Sequence, residues 1–210
     1  MGKYFSRERV GYMFRVLSNP LDSFYEIRYR EQGSVPLALI CVFALSTLFT
    51  INRIFAGFIV NDVNPRSVDG IQEMFVFLLL VALLSIGNWS ITCLMNGEGR
   101  FKDILTVVGY SMLPLALVLG PATILSRVIS EEEAGFYTIL LGIGIAWTAV
   151  LLLTGIMTVH NYTLAKTLVT LFLTFITVLI LIFIGMLIIS LISQLYKFIY
   201  SIYTELAFRF

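Results

Sequence analysis

The chain has 210 residues, of which 59% are hydrophobic and only 13% are charged, and its formal net charge is +1. A soluble globular domain carries about 25% charged residues, so this composition excludes an ordinary soluble domain, and a near-neutral chain offers no basic surface for nucleic acid. The charges are clustered and leave five apolar stretches, each long enough to cross a hydrocarbon core of about 30 Å. The sequence therefore predicts an all-α membrane protein with five transmembrane helices that contact the lipid bilayer.

Residues 1–33 form a basic segment ahead of the first span, with six Lys and Arg side chains. We predict two short helices here, because Asn19 can cap a helix and Pro20 fits its first position. One face of the second helix is formed by Leu21, Phe24, Tyr25 and Arg28. Such a segment is expected to lie as an interfacial helix in the headgroup plane, with its basic side toward anionic lipid. A solvated juxtamembrane segment is the alternative.

The five predicted spans cover about 35–58, 71–95, 104–128, 136–159 and 167–195, within one membrane domain over residues 34–196. Arg53 falls near the far boundary of the first span, where its long side chain can snorkel to the interface. We favour this interpretation over a partner inside the membrane. Residues 197–210 follow as an aromatic-rich tail, which is typical of an interfacial anchor.

The third span contains residues that should bend it. Pro114 removes a backbone donor and is predicted to kink the helix and to free a carbonyl near Tyr110. The hydroxyl of Tyr110 or Ser111 could then satisfy that carbonyl. Gly120-Pro121 is predicted to end the straight part of the span. A kinked packing helix is the favoured interpretation, and a discontinuous helix at a transport site is the alternative.

Several other residues within the spans predict helix packing. Gly142 and Ala146 form a small-xxx-small pair, which lets another helix backbone approach closely. Asn88 lies deep in the second span, so its amide is expected to bond a group on another helix, with a substrate contact as the alternative. Cys41 and Cys93 are interpreted as small buried hydrophobes and not as a disulfide or metal pair.

Between the second and third spans, residues 96–103 form a short charged hairpin around which the helices are expected to pack. Gly97 and Gly99 flank Glu98, as a tight turn with positive φ would require. Asp103 is a reasonable N-cap for the third span. The hairpin sets mixed charges beside an aromatic side chain, namely Glu98, Arg100, Lys102, Asp103 and Phe101. This pattern fits either a solvated turn or a docking surface for a protein partner.

The sequence offers little material for chemistry. It contains no HExxH, GxSxG, Walker or CxxC motif, and His160 is its one histidine. No pair of Asp or Glu side chains falls inside the spans. We therefore predict no catalytic residue, no cofactor and no metal site, and the scarcity of polar groups in the spans disfavours a permeation path.

Lys and Arg side chains are concentrated on one side of the predicted topology. The amino-terminal segment, the hairpin and the turn with Lys166 lie on that side. The opposite turns carry Arg66 and, beside three glutamates, Arg127. The positive-inside rule then places the amino terminus and the hairpin in the cytoplasm. With five spans, the tail at 197–210 is extracytoplasmic.

The stretch NGEGRFKDILTVVGYSMLP resembles the Yip (Ypt-interacting protein) domain family. The shared pattern is a Gly-x-Gly turn, Phe101, and then a Gly-Tyr-Ser…Pro helix that contains Tyr110 and Pro114. Asn88-Trp89 before the hairpin and the stretch from His160 to Leu164 are similar to short bacterial members. The resemblance covers nearly the whole chain, and it implies five spans with a cytosolic amino terminus.

The resemblance also implies hypotheses about function. Eukaryotic relatives act in vesicle traffic, bind small GTPases and have a longer soluble amino-terminal region, whereas short bacterial members are commonly encoded beside sugar ABC importers and polysaccharide-use enzymes. It therefore implies a non-catalytic accessory subunit of a carbohydrate ABC importer in a bacterial plasma membrane. The alternatives are a membrane-organising or trafficking protein that contacts lipid or a GTPase, and a small solute carrier or channel. The candidate docking and structural residues are Asn88, Trp89, Gly97, Glu98, Gly99, Arg100, Phe101, Lys102, Asp103, Tyr110, Pro114 and His160.

Overall fold

The computed structural model describes residues 7–208, so the first six and last two residues of the predicted terminal segments lie outside the described part. The helices are α1 (Arg7–Ser18), α2 (Pro20–Tyr29), α3 (Val35–Phe55), α4 (Gly70–Leu94), α5 (Phe101–Ser111), α6 (Leu113–Leu125), α7 (Ala134–His160) and α8 (Leu164–Ala207). Short 3₁₀ turns, Pro65–Ser67 and Glu131–Glu133, precede α4 and α7. No strand occurs among the described residues.

Five helical segments are long and apolar enough to span a membrane: α3, α4, α5 with α6, α7 with its preceding turn, and α8. This confirms the predicted fold class. Successive spans run in opposite directions, so α1, α2, the hairpin at residues 96–100 and the α7–α8 turn gather at one end of the bundle, which we call the hairpin end. The loops before α4 and α7 lie at the opposite, far end.

Helix α5 forms the centre of the core because residues on several of its faces are buried. Ile104, Val107 and Tyr110 have no exposed surface. They pack in one cluster with side chains of α3 and α7, including fully buried Leu151. A Cβ atom on Gly109 would lie 2.5 Å from the carbonyl oxygen of Ala38. The close contact between α3 and α5 therefore requires glycine at this position.

The amino-terminal helices pack against the hairpin end of this core. Val16, Phe24 and Ile27 are buried in the same cluster as α5. The predicted face of α2 therefore does not share one environment, because Phe24 points inward while Leu21 and Tyr25 are exposed. Pro20 does begin α2, but the Asn19 side chain makes no capping hydrogen bond.

The third span breaks once, at Met112, and not twice. Pro114 takes the second position of α6, where an amide would have no intrahelical partner. The predicted end at Gly120-Pro121 is wrong, because α6 continues through Pro121 to Leu125. The Tyr110 hydroxyl does not satisfy a freed carbonyl of its own helix, since it lies instead 3.3 Å from the amide nitrogen of Ser34 on the approach to α3.

Two packing predictions also need correction. Arg53 is not a lone snorkelling side chain, because its Nε lies 3.1 Å from a carboxylate oxygen of Glu73 in the first turn of α4. Gly142 has no neighbour within 4 Å of a would-be Cβ, and Ala146 is exposed. Gly144 packs against α6 instead, and a Cβ on it would lie 3.2 Å from Val118 Cβ. The small-xxx-small face is thus directed away from the described bundle.

Candidate functional site

Asp103 organises the polar cluster at the hairpin end. It is 3% exposed and lies at the third position of α5, so it is not the predicted N-cap; Arg100 takes that place. From there Asp103 accepts the Arg100 backbone N–H at 3.2 Å and the Arg100 Nε at 2.9 Å. The Arg100 amide would otherwise lack a partner within the helix, and the negative carboxylate is stabilised by the positive end of the α5 dipole.

Arg28 of α2 reaches the same carboxylate from across the bundle. Its Nη1 lies 3.2 Å from Asp103 Oδ2, and its Nη2 donates to the carbonyl of Glu98. The pair is largely enclosed, with side-chain exposures of 17% for Arg28 and 5% for Asp103. The sequence predicts that the basic side of this segment faces anionic lipid, whereas Arg28 points inward, one helical turn after Phe24 on the same predicted face.

Glu31 adds an outer layer to this network. Its carboxylate accepts from Lys102 Nζ at 3.1 Å and from Arg100 Nη1 at 2.9 Å. These two cations hold the pKa of Glu31 below its ordinary value. Because the folded-state pKa is the lower one, the bridge stabilises the fold above the unfolded-state pKa and is lost as pH falls through the folded-state pKa. The charges predicted for docking are thus largely engaged within the chain.

The hairpin glycines serve close approach and not turn geometry. Neither Gly97 nor Gly99 has positive φ, and it is Asn96 that adopts the left-handed conformation, at φ 54°. A Cβ on Gly97 would lie 2.5 Å from His160 Nδ1, and one on Gly99 would lie 2.6 Å from His160 Cε1. The predicted reason for these glycines is therefore wrong, although they are sterically required.

His160 and Tyr162, at the α7–α8 turn, form the seat for the hairpin. The His160 ring is buried, accepts the Gly99 N–H at 3.2 Å through Nδ1, and stacks on Tyr162. Tyr162 donates its hydroxyl to the carbonyl of Met95 at 3.2 Å, and burial raises its pKa. Lys166 Nζ lies 4.0 Å from the centre of the Tyr162 ring. The seat joins the end of α4 to the start of α8.

Three further predicted residues lie inside the bundle. The Asn88 side-chain amide donates to Thr174 Oγ1 of α8 at 3.2 Å, so its partner does lie on another helix. Tyr110 and Pro114 are buried on either side of the α5–α6 break. None of the three faces the surface at the hairpin end, and their contacts are those of helix packing.

The remaining predicted residues form an exposed face that the last turns of α4, the hairpin and the first turn of α5 share. Trp89 and Phe101 make an edge-to-face aromatic pair with ring centres 5.8 Å apart. They are 43% and 39% exposed, beside the exposed side chains of Glu98 and Lys102. We call Trp89 and Phe101 the aromatic pair. The structure therefore divides the predicted set into an internal packing group and one surface patch.

No group of three or more His, Cys, Asp or Glu side chains among the described residues could hold a metal ion. Both cysteines are free thiols; Cys41 is buried as predicted, whereas Cys93 is exposed. An open cleft of 510 Å³ lies beside the hairpin, and Glu31, Arg100 and Lys102 are among its lining residues. Charges of both signs line it, and Arg100 and Lys102 both pair with Glu31.

The sequence that forms this bundle matches a known family model. The Yip1 domain model matches residues 14–187, which is most of the chain. The chain belongs to the Yip1 domain family. Within this Yip1 domain, the match includes the whole hairpin, the α7–α8 turn and the part of α8 that packs on α4.

An uncharacterized protein of Methanocaldococcus jannaschii is 28% identical over 137 residues, covering 58% of this chain and 94% of that relative. No solved structure matches the chain. Family membership confirms the resemblance to Yip domain proteins. The relative is archaeal, and neither match names a sugar importer or a bacterial type.

Proposed function

We propose that this Yip1 domain protein is a non-catalytic membrane scaffold that docks another membrane protein at its hairpin end. The observation that carries the proposal is the exposed aromatic pair, which joins α4 to the start of α5 on either side of a hairpin whose backbone is fixed by internal contacts. Aromatic side chains at the centre of a patch are typical of residues that dominate interface energies. The surrounding Glu98 and Lys102 form a polar rim.

The internal contacts support docking because they fix the hairpin before a partner arrives. Asp103, Arg28 and His160 hold its backbone and its flanking side chains in place. A preorganised surface loses less conformational entropy on binding than a mobile loop does. The same contacts use the polar groups that a reaction would need, which supports a role without catalysis.

The specific partner that we propose is a membrane subunit of a carbohydrate ABC importer in a bacterial plasma membrane. This follows from the resemblance to short bacterial Yip proteins, and from the positive-inside rule, which sets the hairpin on the cytoplasmic side. A cytoplasmic hairpin would lie at the membrane surface from which transporter subunits also project.

Affinity purification at native expression tests the docking proposal. Trp89→Ala combined with Phe101→Ala should lower affinity for the partner by about thirtyfold or more, because truncating each anchor side chain costs about 1 kcal/mol or more. The matched control is Tyr25→Ala with Tyr29→Ala, which removes another exposed aromatic pair, on α2, with centres 4.5 Å apart. Equal recovery from both variants would contradict docking at the hairpin. Recovery of the wild type without transporter subunits would end the importer hypothesis.

A membrane-organising or trafficking role is the second candidate, and a specific surface favours it. Helices α1 and α2 expose the apolar side chains of Phe14, Leu21 and Tyr25 near the basic groups of Arg15 and Arg30. This combination is typical of a lipid-facing interfacial segment. Deformation of anionic liposomes by the purified protein, reduced by the Tyr25 and Tyr29 substitutions and not by those in the aromatic pair, would favour it. Solute flux through vesicles that contain this chain alone would instead indicate a carrier or channel.

A further inference from the structure

Helix α8 is much longer than a membrane crossing requires. Its 44 residues extend about 66 Å at 1.5 Å per residue, against a hydrocarbon core of about 30 Å. Its buried residues are Thr167, Thr170 and Thr174, all near its start. From Met186 to Phe208 every residue except half-buried Thr204 is exposed. The second half of α8 therefore leaves the described bundle without a covering neighbour.

The exposed half of α8 carries a heptad repeat. Aliphatic side chains and one glycine recur at alternating intervals of four and three residues, in the series Leu181, Gly185, Ile188, Ile192, Leu195, Ile199, Ile202 and Leu206. This spacing is that of a left-handed coiled coil, and from Ser190 onward polar residues separate the apolar positions. A single helix packed only by lipid has no reason to keep it, because lipid tails contact all faces alike.

Most polar residues of the same segment lie away from the aliphatic seam, and Glu205, at a flanking position, is the exception. Ser190, Lys197 and Thr204 lie seven residues apart at the outermost position of the repeat, and Gln194 donates to Ser190 Oγ along this stripe at 3.3 Å. Ser190 is about 36 Å beyond Lys166 along the helix, where a span that begins there leaves the hydrocarbon core. The polar stripe thus faces water, and the aliphatic seam on the opposite side of the helix requires another apolar surface that shields it from water.

We propose that this seam, from Ile188 to Leu206, pairs with the same seam of a second copy of the chain in a parallel coiled coil. Copies inserted in the same orientation run their α8 helices in the same direction, so a twofold axis along the membrane normal brings identical faces together. At the centre of the seam Ile192 and Ile199 take the a positions and Leu195 the d position between them, the combination that favours two strands, while Ile188 and Ile202 take the outer d positions. A lipid surface is a poorer cover, because Lys197 is the single basic group on the stripe of Ser190–Thr204 and interfacial helices are rich in Lys and Arg there.

The flanks of the seam fit the same arrangement. In a parallel pair, each g position faces the e position of the following heptad on the other helix. That register places Phe198 opposite the partner's Tyr203 and Leu191 opposite the partner's Tyr196. Large apolar groups would therefore close both sides of the seam. The pairing uses the far end of the molecule and is independent of docking at the hairpin end.

Disulfide trapping in lipid vesicles tests the register. In a full-length Cys41→Ala, Cys93→Ser background, Leu195→Cys should form a covalent dimer on oxidation, because a d-position side chain meets its own copy. Lys197→Cys, two residues away and equally exposed on the single chain, should stay monomeric. Equal trapping at both positions, or trapping at neither, would overturn the proposal.

Native mass spectrometry of the intact protein supplies a second readout. Wild type should be a dimer, and Ile192→Asp with Ile199→Asp should weaken association by at least about tenfold. The matched control adds the same two charges to the polar face, as Ser193→Asp with Ser201→Asp, and should leave the dimer intact. A monomeric wild type, or equal dissociation of the two variants, would contradict the pairing. Because these side chains lie outside the bundle, its melting temperature should be unchanged in both variants.

Discussion

Buried polar side chains fix the geometry of the hairpin end because each has few acceptable partners. Asp103 is enclosed by the guanidinium groups of Arg28 and Arg100. Removing one member of such a pair leaves the other desolvated, and that penalty is larger than the net gain from forming the pair. The value of these residues is therefore best measured against an exposed pair of the same charge type.

We expect Asp103→Asn to lower the free energy of unfolding by about 3 kcal/mol, since Arg28 would lose its counter-charge in a mostly enclosed site. The control is Glu26→Gln, whose partner Arg30 has 69% of its side chain exposed; it should cost about 0.5 kcal/mol or less. Denaturant unfolding in detergent micelles measures both. Equal losses would mean that water reaches Asp103 and Arg28 freely.

At the scale of elements, the hairpin and the α7–α8 turn fit together through small side chains on one partner and flat rings on the other. Gly97 and Gly99 lie against His160 and Tyr162 without room for a methyl group. The contact joins residues 61 positions apart, as in the bond from Gly99 to His160. It therefore ties α4 and α5 to α7 and α8 at one point.

Gly99→Ala should destabilise the protein by roughly 1–3 kcal/mol, the usual cost of overpacking. The new Cβ would meet the His160 ring, and φ at this position is already accessible to alanine. Gly142→Ala, with open space around its would-be Cβ, should be neutral or slightly stabilising. Adding His160→Ala to Gly99→Ala should recover part of the loss in a double-mutant cycle. If the losses from the two single substitutions simply added, the clash of the new Cβ would not involve the His160 ring.

Across the whole molecule, polar contacts are concentrated at the two ends of an apolar bundle. At the far end the Asn52 amide donates to Thr123 Oγ1 at 2.8 Å and to the Tyr137 hydroxyl at 3.0 Å, which joins α3, α6 and α7. Arg127 Nε donates to the carbonyl of Phe55 nearby. The two ends thus hold opposite sets of loops, as five alternating spans require.

This arrangement gives a topology experiment. In a Cys93→Ser background, a membrane-impermeant maleimide applied to intact cells should label Glu132→Cys at the far end. Glu98→Cys at the hairpin should react only after permeabilisation, because the positive-inside rule predicts a cytoplasmic hairpin. Both positions are exposed, so access and not burial controls labelling. The reverse labelling pattern would show that the protein has the opposite orientation in the membrane.

Much of the fold could be predicted from local properties of the chain. Length and hydropathy set the five spans, because a membrane crossing needs one continuous apolar run. The break before Pro114 and the start of α2 at Pro20 follow from proline chemistry within a few residues. The need of Asn88 for a partner also follows, since an amide in an apolar span must bond to something.

Tertiary structure alone decided which groups meet. Arg28 and Asp103 are separated by 75 positions, and Arg53 finds Glu73 on the next helix. No local pattern records such pairings, because hydropathy and propensity sum over neighbours in sequence. The orientation of each helix about its own axis determines which side chains pair. The same orientation leaves Gly142 without a neighbour, whereas Gly144 and Gly99 contact neighbouring side chains closely. That orientation is set by packing all the helices at once, so it emerges only when the bundle is assembled.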